Sequence, residues 1–253
     1  MLKKLPIGIQ TFEKIIDGDY LYIDKTSLAL SLIESYQYVF LSRPRRFGKS
    51  LFLDTLQEIF EGNKELFKDL YIYDKYDFDS YPVIKISWGG DEFSSLESMD
   101  IASKDQLRDN QKRLGISCDT TLPPHLCLKH LIINAYEKYQ KPVVVLIDEY
   151  DKPILNNISN IEVANQMRDF LRSFYSQLKE NDRYVKFAFL TGITKFTKAS
   201  IFSGLNNITD ISLDEDYATI CGYTQNDIET SFMPYLKDVD MDRVKEWYNG
   251  YIF

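Results

Sequence analysis

Two short stretches carry side chains whose types and spacing suit phosphate chemistry. The first is Arg43-Pro44-Arg45-Arg46-Phe47-Gly48-Lys49-Ser50-Leu51. It follows an apolar run and leads into an amphipathic segment, so it reads as strand, tight basic turn and helix. That is the context in which a phosphate-binding loop works. Gly48 lets the backbone pass close to an anion, because it has no Cβ to collide. Lys49 suits a point charge on the terminal phosphates, and the Ser50 hydroxyl suits Mg2+. The helix starting here would face the anion with unpaired N–H groups and its positive dipole end. The usual pattern is G-x-x-x-x-G-K-[ST], and this chain has Arg43 where the first glycine would stand. Arg43, Arg45 and Arg46 either neutralise phosphates or tie the turn to acidic neighbours such as Asp151.

The second stretch is Val143-Val144-Val145-Leu146-Ile147-Asp148-Glu149. Five consecutive apolar residues, mostly β-branched, predict a strand buried on both faces of a parallel sheet. Two acids at its C-terminal end are costly beside a core unless they serve a cation or a water. Asp148 is therefore expected to hold Mg2+, directly or through water. Glu149 is expected to take a proton from, or orient, the water that attacks the γ-phosphorus. A third apolar run, 184–190, ends at Thr191, where a hydroxyl suits a sensor of the γ-phosphate. Lys195 and Lys198 follow, and either would meet the terminal phosphate or remain solvated.

The elements that must position these residues alternate in type. Strands are expected at 38–42, 82–88, 143–148, 185–191 and about 208–213. Between them, helices are predicted after the basic loop (52, 56, 59 and 60 apolar) and over 96–114. A third begins at Pro123-Pro124 (128, 131, 132 and 135 apolar) and a fourth covers 161–179 (163, 167, 170, 171, 174 and 178 apolar). Alternation of this kind implies a three-layer α/β P-loop NTPase sandwich with a parallel sheet of about five strands and right-handed crossovers. Glu149 faces the γ-phosphate if the strand ending at Thr191 inserts beside the strand before the basic loop. Residues 20–26 form a leader into a helix over about 27–36, either touching the base or packing as an arm. Helices over about 225–236 and 241–248 would form a small lid. The expected division is a core of 1–214 followed by the lid and the start of an extension, 215–253.

Composition bounds the partners. The chain has 253 residues, 44% hydrophobic and 27% charged, an ordinary globular composition. A formal charge of −8 argues against bulk attraction to nucleic acid or an anionic membrane. No run of 18 apolar residues and no signal-type apolar core is present, so a cytoplasmic protein is expected. Cys118, Cys127 and Cys221 form no C-x-x-C pair and are expected to be separate reduced thiols. His125 and His130 lack ligand-spaced partners and are expected to be packed or solvated. The chain stops on Trp247-Tyr248-Asn249-Gly250-Tyr251-Ile252-Phe253, an unusual tail, so further chain is expected beyond it.

Five motifs together resemble the AAA-ATPase-like family of bacterial proteins. They are Arg43-Pro44-Arg45-Arg46-Phe47-Gly48-Lys49-Ser50, the leader Tyr22-Ile23-Asp24-Lys25-Thr26, and Leu146-Ile147-Asp148-Glu149-Tyr150-Asp151-Lys152-Pro153. Leu190-Thr191-Gly192-Ile193-Thr194-Lys195-Phe196 with Ser203-Gly204-Leu205-Asn206-Asn207, and the terminal Trp247-Tyr248-Asn249-Gly250-Tyr251, complete the set. In that family Arg at the first glycine position is normal. The resemblance implies Mg2+-dependent ATP binding and hydrolysis, coupled to a protein partner or to a C-terminal nuclease-like domain of the PD-(D/E)xK type that is absent here. It leaves oligomerisation open. The alternative is a nucleotide-gated switch with little turnover, because no arginine finger can be named and a missing finger costs about 10³–10⁵ in rate. A small-molecule kinase would use the same chemistry, but Glu149 beside Asp148 suits water, and nothing marks an acceptor pocket.

Overall fold

A computed structural model of the chain describes residues 2–194, 205, 207–237 and 239–248. Its described residues build one five-stranded sheet: β1 (Tyr38–Ser42), β2 (Val83–Ser87), β3 (Val143–Asp148), β4 (Val185–Gly192) and β5 (Thr209–Asp210). The order across the sheet is β2-β3-β4-β1-β5, and every pairing is parallel. Parallel neighbours need a crossover each, and the helices provide them on both faces.

Alternate strand residues point to opposite faces, so each strand feeds two cores. Val39 and Leu41 of β1, Val144 and Leu146 of β3, and Phe187 and Phe189 of β4 join one core. That core is closed by α1 (Phe12–Asp17), α2 (Thr26–Ser35) and α3 (Lys49–Glu61). Tyr38, Phe40, Val143, Val145, Ile147, Ala188 and Leu190 join the other. It is closed by α4 (Leu96–Leu114), α5 (Pro124–Tyr139) and α7 (Ile161–Glu180), while a short α6 (Lys152–Leu155) follows β3. The sandwich is thus α/β with three layers. The expected helical stripes are its core contacts: Phe52, Leu56, Ile59 and Phe60 of α3, and Met167, Leu171, Phe174 and Leu178 of α7, are all buried.

Local sequence sets the boundaries. Gly62 ends α3 in the left-handed region at φ 84°, which a glycine adopts without a Cβ penalty. Ser95 and Ser98 form a reciprocal cap on α4. Pro124 opens α5 at its first turn, where a missing N–H costs nothing.

Three local expectations are corrected. β5 covers two residues, not six, because the chain turns at once: the Ser212 N–H donates to Asp210 Oδ1 at 2.9 Å and the Asp214 N–H to Ile211 O at 3.2 Å. The stretch 225–236 is not one helix. It runs α8 (Gln225–Asp227), a π turn (Ile228–Phe232) and a 3₁₀ turn (Met233–Tyr235), with α9 (Met241–Tyr248) beyond. Pro234 has no N–H to continue an α-helical ladder there. The cysteines are not all separate: Cys118 and Cys127 are disulfide-paired with Cα atoms 5.3 Å apart, because Gly115 turns the chain back after α4 and brings the loop to the start of α5. Cys221 is free and buried.

The leader packs as an arm. Tyr22 makes an edge contact with Phe12 at 5.1 Å, and Asp24 accepts from the Thr26 N–H, the Thr26 hydroxyl and the Tyr71 N–H. Both histidines lie on α5, and His125 lines a groove of about 580 Å³ with Leu96, Asp169 and Phe170. No helix among the described residues is long and apolar enough to cross a membrane.

Candidate functional site

Strand order decides which side chains meet. β4 lies between β1 and β3, so their C-terminal tips stand two strand spacings apart, about 10 Å. Leu41 pairs with Thr191 and Ser42 with Gly192, while Ile147 pairs with Leu190. The basic loop therefore leaves the sheet one strand from Thr191, and Asp148 leaves it one strand away on the other side.

The loop 43–48 is built to hold its backbone open. Arg46 and Gly48 both take left-handed φ values, 66° and 89°. Gly48 caps α3 and offers no side chain to the first turn, so the cap residue itself leaves the N–H groups there uncovered. Arg45, Arg46 and Gly48 are exposed, Pro44, Phe47, Ser50 and Leu51 are half-buried, and Lys49 is buried. The Lys49 ammonium donates to the carbonyls of Arg43 and Pro44, each at 2.9 Å. Burial pulls its pKa down from the ordinary lysine value, and Asp148, Cys221, Glu149 and Asp151 pull it back up. Lys49 thus lies within the field of the acids at the tip of β3.

Those acids are held by β4. Asp148 is buried, and its Oδ1 accepts from the Thr191 hydroxyl and, at 3.1 Å, from the Glu149 N–H. Among the described residues no donor reaches its Oδ2. Glu149 is half-buried and takes a left-handed φ of 54°, which is costly for a residue with a Cβ. Its carboxylate lies beside the tip of β2, 3.4 Å from where a Cβ on Gly89 would stand.

The residues just after Glu149 lace β3 to β4. The Tyr150 N–H donates to Thr191 O at 2.8 Å, and the Tyr150 hydroxyl to Thr194 O at 3.1 Å. Asp151 is fully buried, and its Oδ2 accepts from the Ile193 N–H, the Thr194 N–H and the Thr194 hydroxyl at 2.6–2.9 Å. Gly192 is obligatory here: a Cβ would lie 2.3 Å from the Tyr150 ring. From α7, the Tyr175 hydroxyl donates to Tyr150 O at 3.2 Å and accepts from the Trp88 indole at 2.9 Å. Sequence reasoning gave Asp151 no role beyond a neighbour for the arginines. Its signal was a further acid three residues past the end of β3, followed by Pro153.

Arg43 does not share the exposure of its neighbours. Its side chain donates to the carbonyls of Ser42, Ser212 and Tyr217, and the residue is 2% exposed. Burial lowers its pKa from the ordinary arginine value, with Cys221 and Asp210 acting the other way.

The oxygens at these two tips are of the chemical type that Mg2+ takes when it keeps most of its water. One hydroxyl, Ser50 Oγ, and one carboxylate oxygen, Asp148 Oδ2, are hard oxygen donors. Among the described residues no group of three or more His, Cys, Asp or Glu could hold a metal alone. Lys195, Lys198, Phe196, Ser203, Gly204 and Asn206, and the terminal Asn249, Gly250, Tyr251, Ile252 and Phe253, lie outside the described residues.

Comparison with known proteins places these motifs in a wider set. A family model described as "Predicted AAA-ATPase" matches residues 6–202, more than half of the chain. A curated protein of Azotobacter chroococcum mcd 1, described as "Uncharacterized protein in vnfD 5'region", is 49% identical over 251 residues. The match covers 98% of this chain and 48% of that protein, so the chain spans about half the length of this curated relative. No solved structure matches the chain.

Proposed function

The chain belongs to the AAA-ATPase-like family, and from that premise we propose that it binds ATP at residues 43–51 and hydrolyses it at the tips of β3 and β4. The observation that supports this most is the strand order. It sets the loop with Lys49 and the strand with Asp148-Glu149 on either side of Thr191.

In this reading the first-turn N–H groups of α3 and the Lys49 ammonium hold the β- and γ-phosphates. Ser50 and Asp148 would hold Mg2+, which supplies charge neutralisation on the phosphate oxygens when bound. Thr191 fixes the rotamer of Asp148 by donating to Oδ1. Glu149 takes the proton of the attacking water, and its backbone is kept in place by the Tyr150 and Asp151 contacts to β4. The loop's ties to residues 212–222 favour a second reading, in which occupancy of the site is itself the output and turnover is slow. In either case the recipient is a protein partner or a further domain, as the greater length of the relative suggests.

Calorimetric titration with a non-hydrolysable ATP analogue and Mg2+, followed by phosphate release from ATP, tests both. Tight binding with steady release is expected from the first reading and binding without release from the second. No binding sinks the pair.

A further inference from the structure

Arg43 is the residue that fits the phosphate-loop pattern least, and it is the one most heavily tied to the rest of the molecule. Its peptide N–H donates to Gly192 O at the tip of β4, 3.2 Å away. Its carbonyl accepts from the Lys49 ammonium at 2.9 Å. Its guanidinium donates to Ser212 O at 2.7 Å and Tyr217 O at 3.2 Å, in a segment that packs behind the loop with Ile211, Tyr217 and Ile220 buried. Two further bonds run in the same direction. The Ser42 N–H donates to Ser212 Oγ at 2.9 Å, and the Gly222 N–H donates to Phe47 O at 2.9 Å. Beyond them, Asp227 is held by Lys25 of the leader at 3.1 Å.

A planar fork of N–H donors can serve two carbonyls at fixed spacing, and a flexible ammonium cannot do so equally well. A glycine at this position would supply neither. We propose that Arg43 is a positioning residue: it clamps the start of the loop to residues 212–217 and carries the loop's state to residues 211–222. The proposal rests on the reading that residues 43–51 bind nucleotide. When Lys49 turns to a phosphate, the carbonyls of Arg43 and Pro44 lose their donor and the adjoining peptide units re-orient. The guanidinium on the same residue passes that change to Ser212 and Tyr217.

Hydrogen–deuterium exchange on the full chain, with and without Mg·ATP, tests this in wild type, Arg43→Lys and Arg43→Gly. In wild type, ATP should change exchange across 211–222. Both variants should exchange faster there without nucleotide, lose the ATP response, and bind ATP about tenfold more weakly, the scale of one lost charge-assisted hydrogen bond. Arg43→Lys with wild-type affinity and exchange would show that charge alone matters and would overturn the proposal. So would Arg43→Gly that binds ATP normally with 211–222 undisturbed. Should the variants fail to fold, wild-type exchange at 211–222 that ignores bound ATP overturns it equally. If calorimetry shows no ATP binding to wild type, the nucleotide reading fails by itself, and the nucleotide-free comparison still decides the clamp.

Discussion

The Thr191 hydroxyl at the end of β4 donates to Oδ1 of Asp148 at the end of β3, with both residues buried. A carboxylate at that depth needs its donors, because an unmet buried acceptor carries its full desolvation penalty. Thr191→Val keeps the shape and removes the donor. It should destabilise the fold by about 1–3 kcal/mol in urea unfolding. Thr191→Ser should recover most of that loss. Equal stability of the Val and Ser variants would mean that the hydroxyl does not support Asp148.

Lys49 makes its two hydrogen bonds within its own loop and sits where burial works against its charge. Lys49→Ala should therefore stay folded by circular dichroism and lose nucleotide binding by calorimetry. An ATP affinity equal to wild type would remove Lys49 from the phosphate site.

Glu149→Gln keeps the side-chain size and the backbone demand at φ 54° but cannot accept a proton. ATP should still bind, and phosphate release should fall by about 10²–10⁴, the usual range for a lost general base. Release at the wild-type rate would assign the base elsewhere.

One oxygen of Asp151 takes three hydrogen bonds from residues 193 and 194. Removing it in Asp151→Ala leaves two half-buried backbone N–H groups without this acceptor. The cost should be about 3 kcal/mol in denaturant titration. Asp151→Asn should cost less, since an amide oxygen can accept from the same donors. Asn and Ala variants of equal stability would contradict the lacing of β3 to β4 through this side chain.

Cys221 has its thiol pushed up to about 12, chiefly by burial, with Arg43, Lys49 and Lys25 pulling the other way. A folded pKa above the ordinary value of 9.0 favours the protonated native state. The associated stability is fully present below about pH 9 and is lost as pH rises towards 12. Iodoacetamide followed by mass spectrometry should leave Cys221 unmodified in the native chain at pH 9 and label it in the denatured chain. Equal labelling of both would show an accessible thiolate.

The parts of this fold that repeat were legible in the sequence. The unbroken apolar run 143–147 marked a central strand, and the stripe from Phe52 to Phe60 marked the buried face of α3. Both follow from the local hydrophobic pattern, an unbroken run in the first case and a helical stripe in the second. The Asp148-Glu149 pair was legible because two acids at a strand tip conflict with burial. What escaped notice depends on long-range contact. Arg43 looked like one more cation in a basic turn, and only the approach of residues 212–217 shows where its side chain goes. Asp151 likewise gains its donors from the turn just after β4, more than 40 residues away. Cys118 and Cys127 meet because Gly115 turns the chain back, which their spacing does not announce. The break near Pro234 was readable, since proline punctuates helices, yet the polar stretch around it gave no competing pattern.

The grip of Lys49 on two carbonyls of its own loop acts as a tethered competitor. Any anion entering this loop must first displace an internal ligand whose local concentration never falls. Measured affinity for a ligand that needs this ammonium is therefore the intrinsic value multiplied by the fraction of loops in which the lysine is free of its carbonyls. If the proposed nucleotide site is right, every phosphate that needs this ammonium meets the same toll, and the loop can tell one from another only through what else each ligand touches.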